Sequence, residues 1–234
     1  MAEARVQPHQ RGDLMIKSDM DAMDDTLDPR LERHAIFQES IEDLCSGVEG
    51  STTDKRELTI VALSKAARDL AHAQWLLITA ENALPAYTLV RPLFEHVVKA
   101  IWCRVYAKDD WLERLWTPPE GDLIKETAPQ KMIKDMLDDI AKHPPTTQIH
   151  QKLVALYSVT SKVMHSFVHG GIYANVHALI DIPLDKQLDV LRNTNGLLLI
   201  NTQTLLLPFE GWRDDYRAIQ AEFADVLPPL DPSN

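Results

Sequence analysis

Apolar side chains recur at alternating intervals of three and four residues between positions 63 and 84, and this pattern constrains the fold more than any other. The stripe consists of Leu63, Ala66, Leu70, Ala73, Leu77, Ala80 and Leu84. This spacing places the side chains on one face of an α-helix, because a helix completes a turn every 3.6 residues. We therefore predict a core helix of about six turns that ends at Pro85.

Helical spacing also dominates the rest of the chain, and no alternating strand pattern of useful length competes with it. We predict further helices from Pro29, after Pro85, near Pro129, before Gly170, beyond Pro183 and from Trp212, with Gly196 interrupting the one beyond Pro183. The expected fold is an all-α helical bundle with additional helices. We expect one domain over residues 29–227, a flexible N-terminal arm over 1–28 and a C-terminal tail over 228–234.

Composition limits the environment and the general binding properties of the protein. The 234 residues are 45% hydrophobic and 25% charged, which is sufficient for a full core in one domain. A net charge of -11 opposes general adhesion to nucleic acid or anionic lipid, but it permits a local RNA site. Two cysteines without a CxxC motif, and no signal-like start, predict a cytoplasmic protein. Residues 197–207 are too short and too polar to span a membrane.

Charged residues interrupt an otherwise apolar segment at Arg91 and Glu95. A projection at roughly 100° per residue places these two side chains within about 40° of each other, whereas His96 points toward the opposite edge of the apolar arc. Pro92 either kinks the helix or lies in the first turn of a new one. The sequence therefore predicts that Arg91 lies at a helix irregularity.

A second polar face lies on the helix that ends before Gly170. Ser158, Ser161, His165 and His169 share this face, which carries no carboxylate. If the face packs against Arg91 and Glu95, the carboxylate can orient or charge a histidine, and the helix C-terminus also favours the imidazolium. We predict that both faces contribute to one polar pocket.

The same residues permit less specific interpretations. Arg91 and Glu95 form a simple ion pair in one of them, while the histidines cap a helix end. His165 and His169 also have the spacing of a helical metal pair, which Glu95 can complete. A nucleophilic Ser158 or Ser161 is disfavoured, because a helical serine more often bonds to its own helix.

The acidic run near position 137 is predicted to be a solvated helix face. It consists of Asp135, Asp138 and Asp139. Two-metal enzymes also use such carboxylates, so that alternative stays open. Apart from these alternatives, the sequence predicts neither a metal nor a cofactor.

The segments ALPAYTLVRPLFEHVVKAIW and YSVTSKVMHSFVHGG resemble bacterial all-helical families related to the HEPN superfamily. The resemblance spans residues 58–205, although its distinctive content lies in these two segments. HEPN ribonucleases carry an arginine, four to six intervening residues and then a histidine, and Arg91 and His96 match that spacing.

This resemblance implies metal-independent RNA cleavage, in which a histidine moves a proton and an arginine stabilises charge on phosphorus. Arg91 and His96 are the catalytic candidates from the motif, and Glu95, His165 and His169 are added from the helical projection. The resemblance also implies a homodimer and a role as a toxin or anti-phage effector with a cognate antitoxin. Two alternatives remain: a non-catalytic module that binds a ligand or a protein, and a metal-dependent helical-bundle hydrolase.

Overall fold

A computed structural model of the protein describes residues 27–46, 53–116 and 131–229. The predicted N-terminal arm, except its last two residues, and most of the predicted C-terminal tail lie outside these ranges. The described helices are α1 (Pro29–Ser46), α2 (Lys55–Thr79), α3 (Ala83–Thr88), α4 (Val90–Val105), α5 (Asp109–Leu115), α6 (Ile133–Ile140), α7 (Thr147–Val168), α8 (Ile172–His177), α9 (Leu184–Leu206) and α10 (Arg213–Glu222). Short 3-10 turns occupy Pro144–Thr146 and Ala224–Val226.

The predicted all-α class is confirmed, since the described ranges contain helices, turns and loops but no strand. Helices α2, α4 and α9 pack against one another at the centre, and α1 packs on α2 and α9. The most extensive helix contact is between α2 and α4, and α7 also packs against α4. None of the described helices is long and apolar enough to cross a bilayer.

Helix α2 buries a face that is rotated from the predicted stripe. Its most buried residues are Thr59, Ile60, Ser64, Ala67, Ala71, Gln74, Trp75 and Ile78. The predicted leucines flank this face and are half-buried. The prediction was wrong in phase because it excluded polar residues from the core. The fold tolerates the buried Gln74 because its side-chain amide donates to the Ala86 carbonyl (3.0 Å) and its side-chain oxygen accepts a hydrogen bond from Thr194.

The end of α2 also differs from the prediction. The helix stops at Thr79, five residues before Leu84, and Glu81 adopts a positive φ of 59°. Pro85 does not end the long helix; it lies in the first turn of the short helix α3. A proline is tolerated there because first-turn N–H groups have no intrahelical acceptor.

Helix α9 runs without a break from Leu184 to Leu206, so the predicted interruption at Gly196 is wrong. A Cβ atom at position 196 would lie 2.7 Å from the Pro228 side chain. Glycine is therefore placed here for close packing against the C-terminal segment, and helix hydrogen bonding continues past it.

The acidic run on α6 is only partly solvated, which corrects the prediction for Asp139. Its carboxylate is buried and accepts hydrogen bonds from Trp102 Nε1 (3.1 Å) and Lys142 Nζ (2.8 Å), and it pairs with Lys131 Nζ (2.9 Å). Burial alone would raise the pKa of Asp139, but the hydrogen bonds from Lys142, Lys131 and Trp102 lower it to about 2. The carboxylate thereby fixes α6 against α4.

A buried histidine connects α1 to α9. His34 is 1% exposed, and its Nδ1 atom accepts a hydrogen bond from the Asn195 amide (2.8 Å), which also donates to the Val226 carbonyl (3.1 Å). Burial is the main cause that lowers the pKa of His34 to about 4, and the positive charge of Arg192 adds to it. The fold therefore holds this imidazole neutral at pH 7.

We expect His34 to make the protein less stable as the pH falls from about 6.5 to about 4. The unfolded chain binds a proton at this side chain in that window whereas the folded protein does not, which costs about 3 kcal/mol once the pH is below both pKa values. Urea unfolding across this pH range measures the effect. His34→Gln, which keeps an acceptor for Asn195, should lose this contribution, and an unchanged pH slope in that variant would contradict the assignment.

Candidate functional site

The site lies where the start of α4 meets the middle and end of α7. Helix α4 begins at Val90, so Pro92 lies in its first turn, which is one of the two predicted geometries. Arg91 and Glu95 then project from successive turns toward α7. Phe94 anchors the contact, since it is 1% exposed and its ring stacks on that of Tyr157 at a centroid distance of 5.6 Å.

Arg91 connects the two polar faces. Its Nε atom donates to Glu95 Oε1 (2.8 Å), and its Nη1 atom donates to His165 Nδ1 (3.0 Å). The side chains of Arg91 and Glu95 are 34% and 38% exposed, so they lie on the wall of a cavity and not in the protein interior. The two distant segments therefore meet through a guanidinium held at two points.

The hydrogen bond from Arg91 determines which nitrogen of His165 carries the proton. A guanidinium only donates, so Nδ1 of His165 accepts and the neutral ring carries its proton on Nε2. The sequence predicted that Glu95 orients or charges a histidine. The structure gives a different arrangement, in which Glu95 fixes Arg91 and Arg91 orients His165.

His96 lines the same cavity as Arg91 and Glu95, although the helical projection predicted that it points elsewhere. Its Nδ1 atom lies 2.6 Å from the Pro92 carbonyl oxygen. A carbonyl only accepts, so Nδ1 donates and Nε2 of the neutral ring is left unprotonated. The projection gives only the direction of each Cα–Cβ bond and does not include this local hydrogen bond between side chain and backbone.

Of His169 and the two serines, only Ser161 lines the cavity. The His169 ring packs on His165 at 4.3 Å between centroids, but His169 does not line the cavity. Ser158 Oγ donates to the Ala155 carbonyl (2.8 Å) of its own helix, while Ser161 lines the cavity. The structure thus places Arg91, Glu95, His96 and His165 together, and it leaves His169 behind His165.

The cavity between α4, α6 and α7 has a volume of about 710 Å³. Aromatic side chains from Phe94, Trp111 and Tyr157 line its apolar part. This volume lies within the range of small-molecule sites. Its polar part contains Lys99, Lys131, Lys134 and Lys162, none of which was predicted from the sequence.

The spacing of residues in the sequence could have identified only some of these lysines as cavity residues. Lys99 follows Arg91 and Glu95 at intervals of four on α4, so helical spacing alone could have identified it. Lys134 reaches the cavity from α6, and Lys131 lies two residues before that helix. That placement depends on how α6 packs against α4.

Metal ligands do not cluster in the described ranges, where no group of three or more His, Cys, Asp or Glu side chains could hold an ion. Glu95 is hydrogen-bonded to Arg91 and does not join His165 and His169 as a third ligand. The two cysteines, Cys45 and Cys103, are buried and unpaired.

No curated protein and no solved structure shows significant similarity to this chain. The sequence model of DUF6988, described as a family of unknown function, matches residues 64–229. The match includes all four cavity residues named in the site prediction, together with α4, α6, α7 and α9. The chain therefore belongs to the family of unknown function DUF6988.

Proposed function

We propose that the protein is a metal-independent endoribonuclease whose active site is the cavity around Arg91, Glu95, His96 and His165. The observation that carries the proposal is the guanidinium of Arg91, which Glu95 and His165 hold in place on the cavity wall. Its other three N–H groups have no partner among the described residues and can bind a phosphate. A donor group fixed before the reaction stabilises developing charge without reorganisation.

The proposed reaction uses the RNA itself as nucleophile. The ribose 2′-oxygen attacks the adjacent phosphorus, the bond from phosphorus to the 5′-oxygen breaks, and the products carry a 2′,3′-cyclic phosphate and a 5′-hydroxyl. The attacking oxygen loses a proton and the leaving oxygen gains one. Arg91 stabilises the charge on the non-bridging phosphate oxygens.

The two histidines have complementary proton positions for this reaction. His96 presents an unprotonated Nε2 atom, because its Nδ1–H donates to the Pro92 carbonyl, so His96 accepts the proton of the 2′-hydroxyl. His165 carries its proton on Nε2 and donates a hydrogen bond from that N–H to a non-bridging phosphate oxygen, while the leaving oxygen takes its proton from solvent water. His169 packs on His165 and positions its ring.

RNA cleavage by the purified protein tests this function. We expect a single-stranded RNA to be cut with equal rates in the presence and absence of a chelator, and the fragments to end in 2′,3′-cyclic phosphates. An oligonucleotide of the same sequence with 2′-O-methyl groups should resist cleavage because it lacks the nucleophile. Activity lost on chelation would indicate the metal-dependent hydrolase, and no cleavage in either condition would favour the non-catalytic binding module.

The HEPN resemblance supports the biological setting of the proposal: a cytoplasmic toxin or anti-phage effector with a cognate antitoxin. It also supports a homodimer, for which the structure adds an observation of its own. An apolar surface, here called the α8 patch, consists of Ile172, Tyr173, Val176, Leu179 and Ile180. Residues 168–180 contain no Asp, Glu, Lys or Arg, so two acidic chains can face each other there without repulsion between like charges.

We expect Leu179→Glu to convert the dimer to a monomer. Leu179 is 88% exposed, so the substitution leaves the core intact while it places two like charges in the proposed interface. Sedimentation velocity at micromolar concentration measures the state of assembly. Leu207→Glu, at a second exposed leucine outside the α8 patch, is the matched control and should remain dimeric. A monomeric wild-type protein would rule out this interface.

A further inference from the structure

Most charged side chains that line the cavity are positive, although the whole protein has a negative net charge. The chain has 35 Asp and Glu residues and 24 Lys and Arg residues. Among the cavity-lining residues the ratio is reversed, with five Lys or Arg side chains and one carboxylate, that of Glu95. A concave site with one sign of charge concentrates the field and attracts ligands of the opposite sign.

Three of these lysines stabilise no hydrogen bond or ion pair within the described part of the chain. Lys131 is held by Asp139, but Lys99, Lys134 and Lys162 form no hydrogen bond or ion pair with any described residue. They lie on α4, α6 and α7, so three separate helices each contribute one of these lysines to the lining of a single cavity. Like charges converging without counter-ions destabilise the protein unless an anion joins them.

We infer that Lys99, Lys134 and Lys162 form a subsite for the phosphodiester groups of single-stranded RNA on either side of the reacting phosphate. The identification of the ligand as single-stranded RNA rests on the proposed function. The lysines act as point charges toward phosphate, whereas Arg91 is fixed by two hydrogen bonds for the reacting group. The half-buried ring of Tyr157, which stacks on the buried Phe94, lines the same cavity and offers an apolar contact for a base or a ribose.

Binding of a strand that cannot be cleaved tests the subsite separately from catalysis. The probe is a fluorescein-labelled 2′-O-methyl oligouridylate of about 12 nucleotides, a length typical of single-stranded sites. Fluorescence anisotropy gives Kd at several salt concentrations for the wild type, for each variant Lys99→Gln, Lys134→Gln and Lys162→Gln, and for the triple variant. Each single substitution should lower the slope of log Kd against log salt by about 0.7, and the triple variant by about 2.

Lys186→Gln is the matched control, since Lys186 is 71% exposed on α9 and does not line the cavity. It should leave Kd and the salt slope at wild-type values. At low salt the triple variant should bind at least about tenfold more weakly than the control. A triple variant with the wild-type slope would overturn the inference.

Competition with small anions distinguishes a strand from a free phosphate compound. Inorganic phosphate and UMP should displace the oligonucleotide only at concentrations far above its Kd, because each occupies one of several subsites. Displacement at concentrations similar to that Kd would show that the lysines bind a free nucleotide and would overturn the strand assignment. Lysine-dependent binding without cleavage of natural RNA contradicts the proposed function alone, whereas cleavage with lysine-independent binding contradicts this inference alone.

Discussion

Arg91→Ala is expected to lower kcat/KM for RNA cleavage by about 100- to 1,000-fold, which is the usual cost of removing one preorganised donor at a developing oxyanion. The substitution removes the hydrogen bonds to Glu95 and His165 as well as the contact with phosphate. His165 then loses the donor that fixes its tautomer. Initial rates of fragment formation from a labelled RNA measure the effect.

Arg114→Ala is the matched control for this prediction. Arg114 also pairs with a carboxylate at an interval of four, that of Asp110, and it does not line the cavity. The control should retain wild-type activity, and both proteins should keep the same circular dichroism spectrum. Arg91→Lys should recover only part of the rate, because an ammonium group cannot contact Glu95, His165 and phosphate in a fork. Full activity in Arg91→Ala would refute the proposed active site.

Phe37→Ala is expected to lower the free energy of unfolding by about 4 kcal/mol, as is usual for a fully buried phenylalanine. Phe37 is 0% exposed, and its ring meets the edge of Phe223 at a centroid distance of 5.6 Å. The cavity left by the substitution would lie between α1 and the C-terminal segment. Guanidinium-induced unfolding, followed by circular dichroism, measures the change.

The neighbouring residue provides the control. Ile36 is 37% exposed on the same helix, so Ile36→Ala should cost less than about 1 kcal/mol. The two variants together test whether α1 belongs to the core. This question arises because α1 precedes the matched family region of residues 64–229. A loss below 1 kcal/mol in Phe37→Ala would mean that α1 is an accessory helix, whereas the expected loss makes it part of the common core.

The helical class could be predicted because it depends on local spacing. The segments around Phe37, Val97 and Phe167 have apolar residues at intervals of three and four, and each lies in a helix of the structure. The start of α4 was also within reach, since a proline is excluded from a helix interior but accepted in its first turn. The phase of α2 was not predictable, because Gln74 is buried with hydrogen-bond partners on α3 and α9.

For the candidate site too, the sequence determined some contacts and the packing of helices determined the others. Arg91 and Glu95 are neighbours at an interval of four on one helix, so the sequence determined their pairing. His165 joins them only because α7 packs on α4, and its proton position follows from the hydrogen bond with Arg91. His96 lines the cavity while its Nδ1 atom bonds to the Pro92 carbonyl, and helical spacing describes neither contact.

The sequence by itself determined the helical class and the approximate positions of the long helices, since these follow from a period of 3.6 residues and from the positions of Pro92, Gly170 and Gly171. Only the tertiary structure decided that Lys99, Lys134 and Lys162 converge on the space beside Arg91. The physical reason is that contacts between helices are set by the packing of the whole core, which brings together residues separated by many turns of chain. Lysines that look like ordinary solvent-exposed residues in the sequence thereby line one cationic cavity.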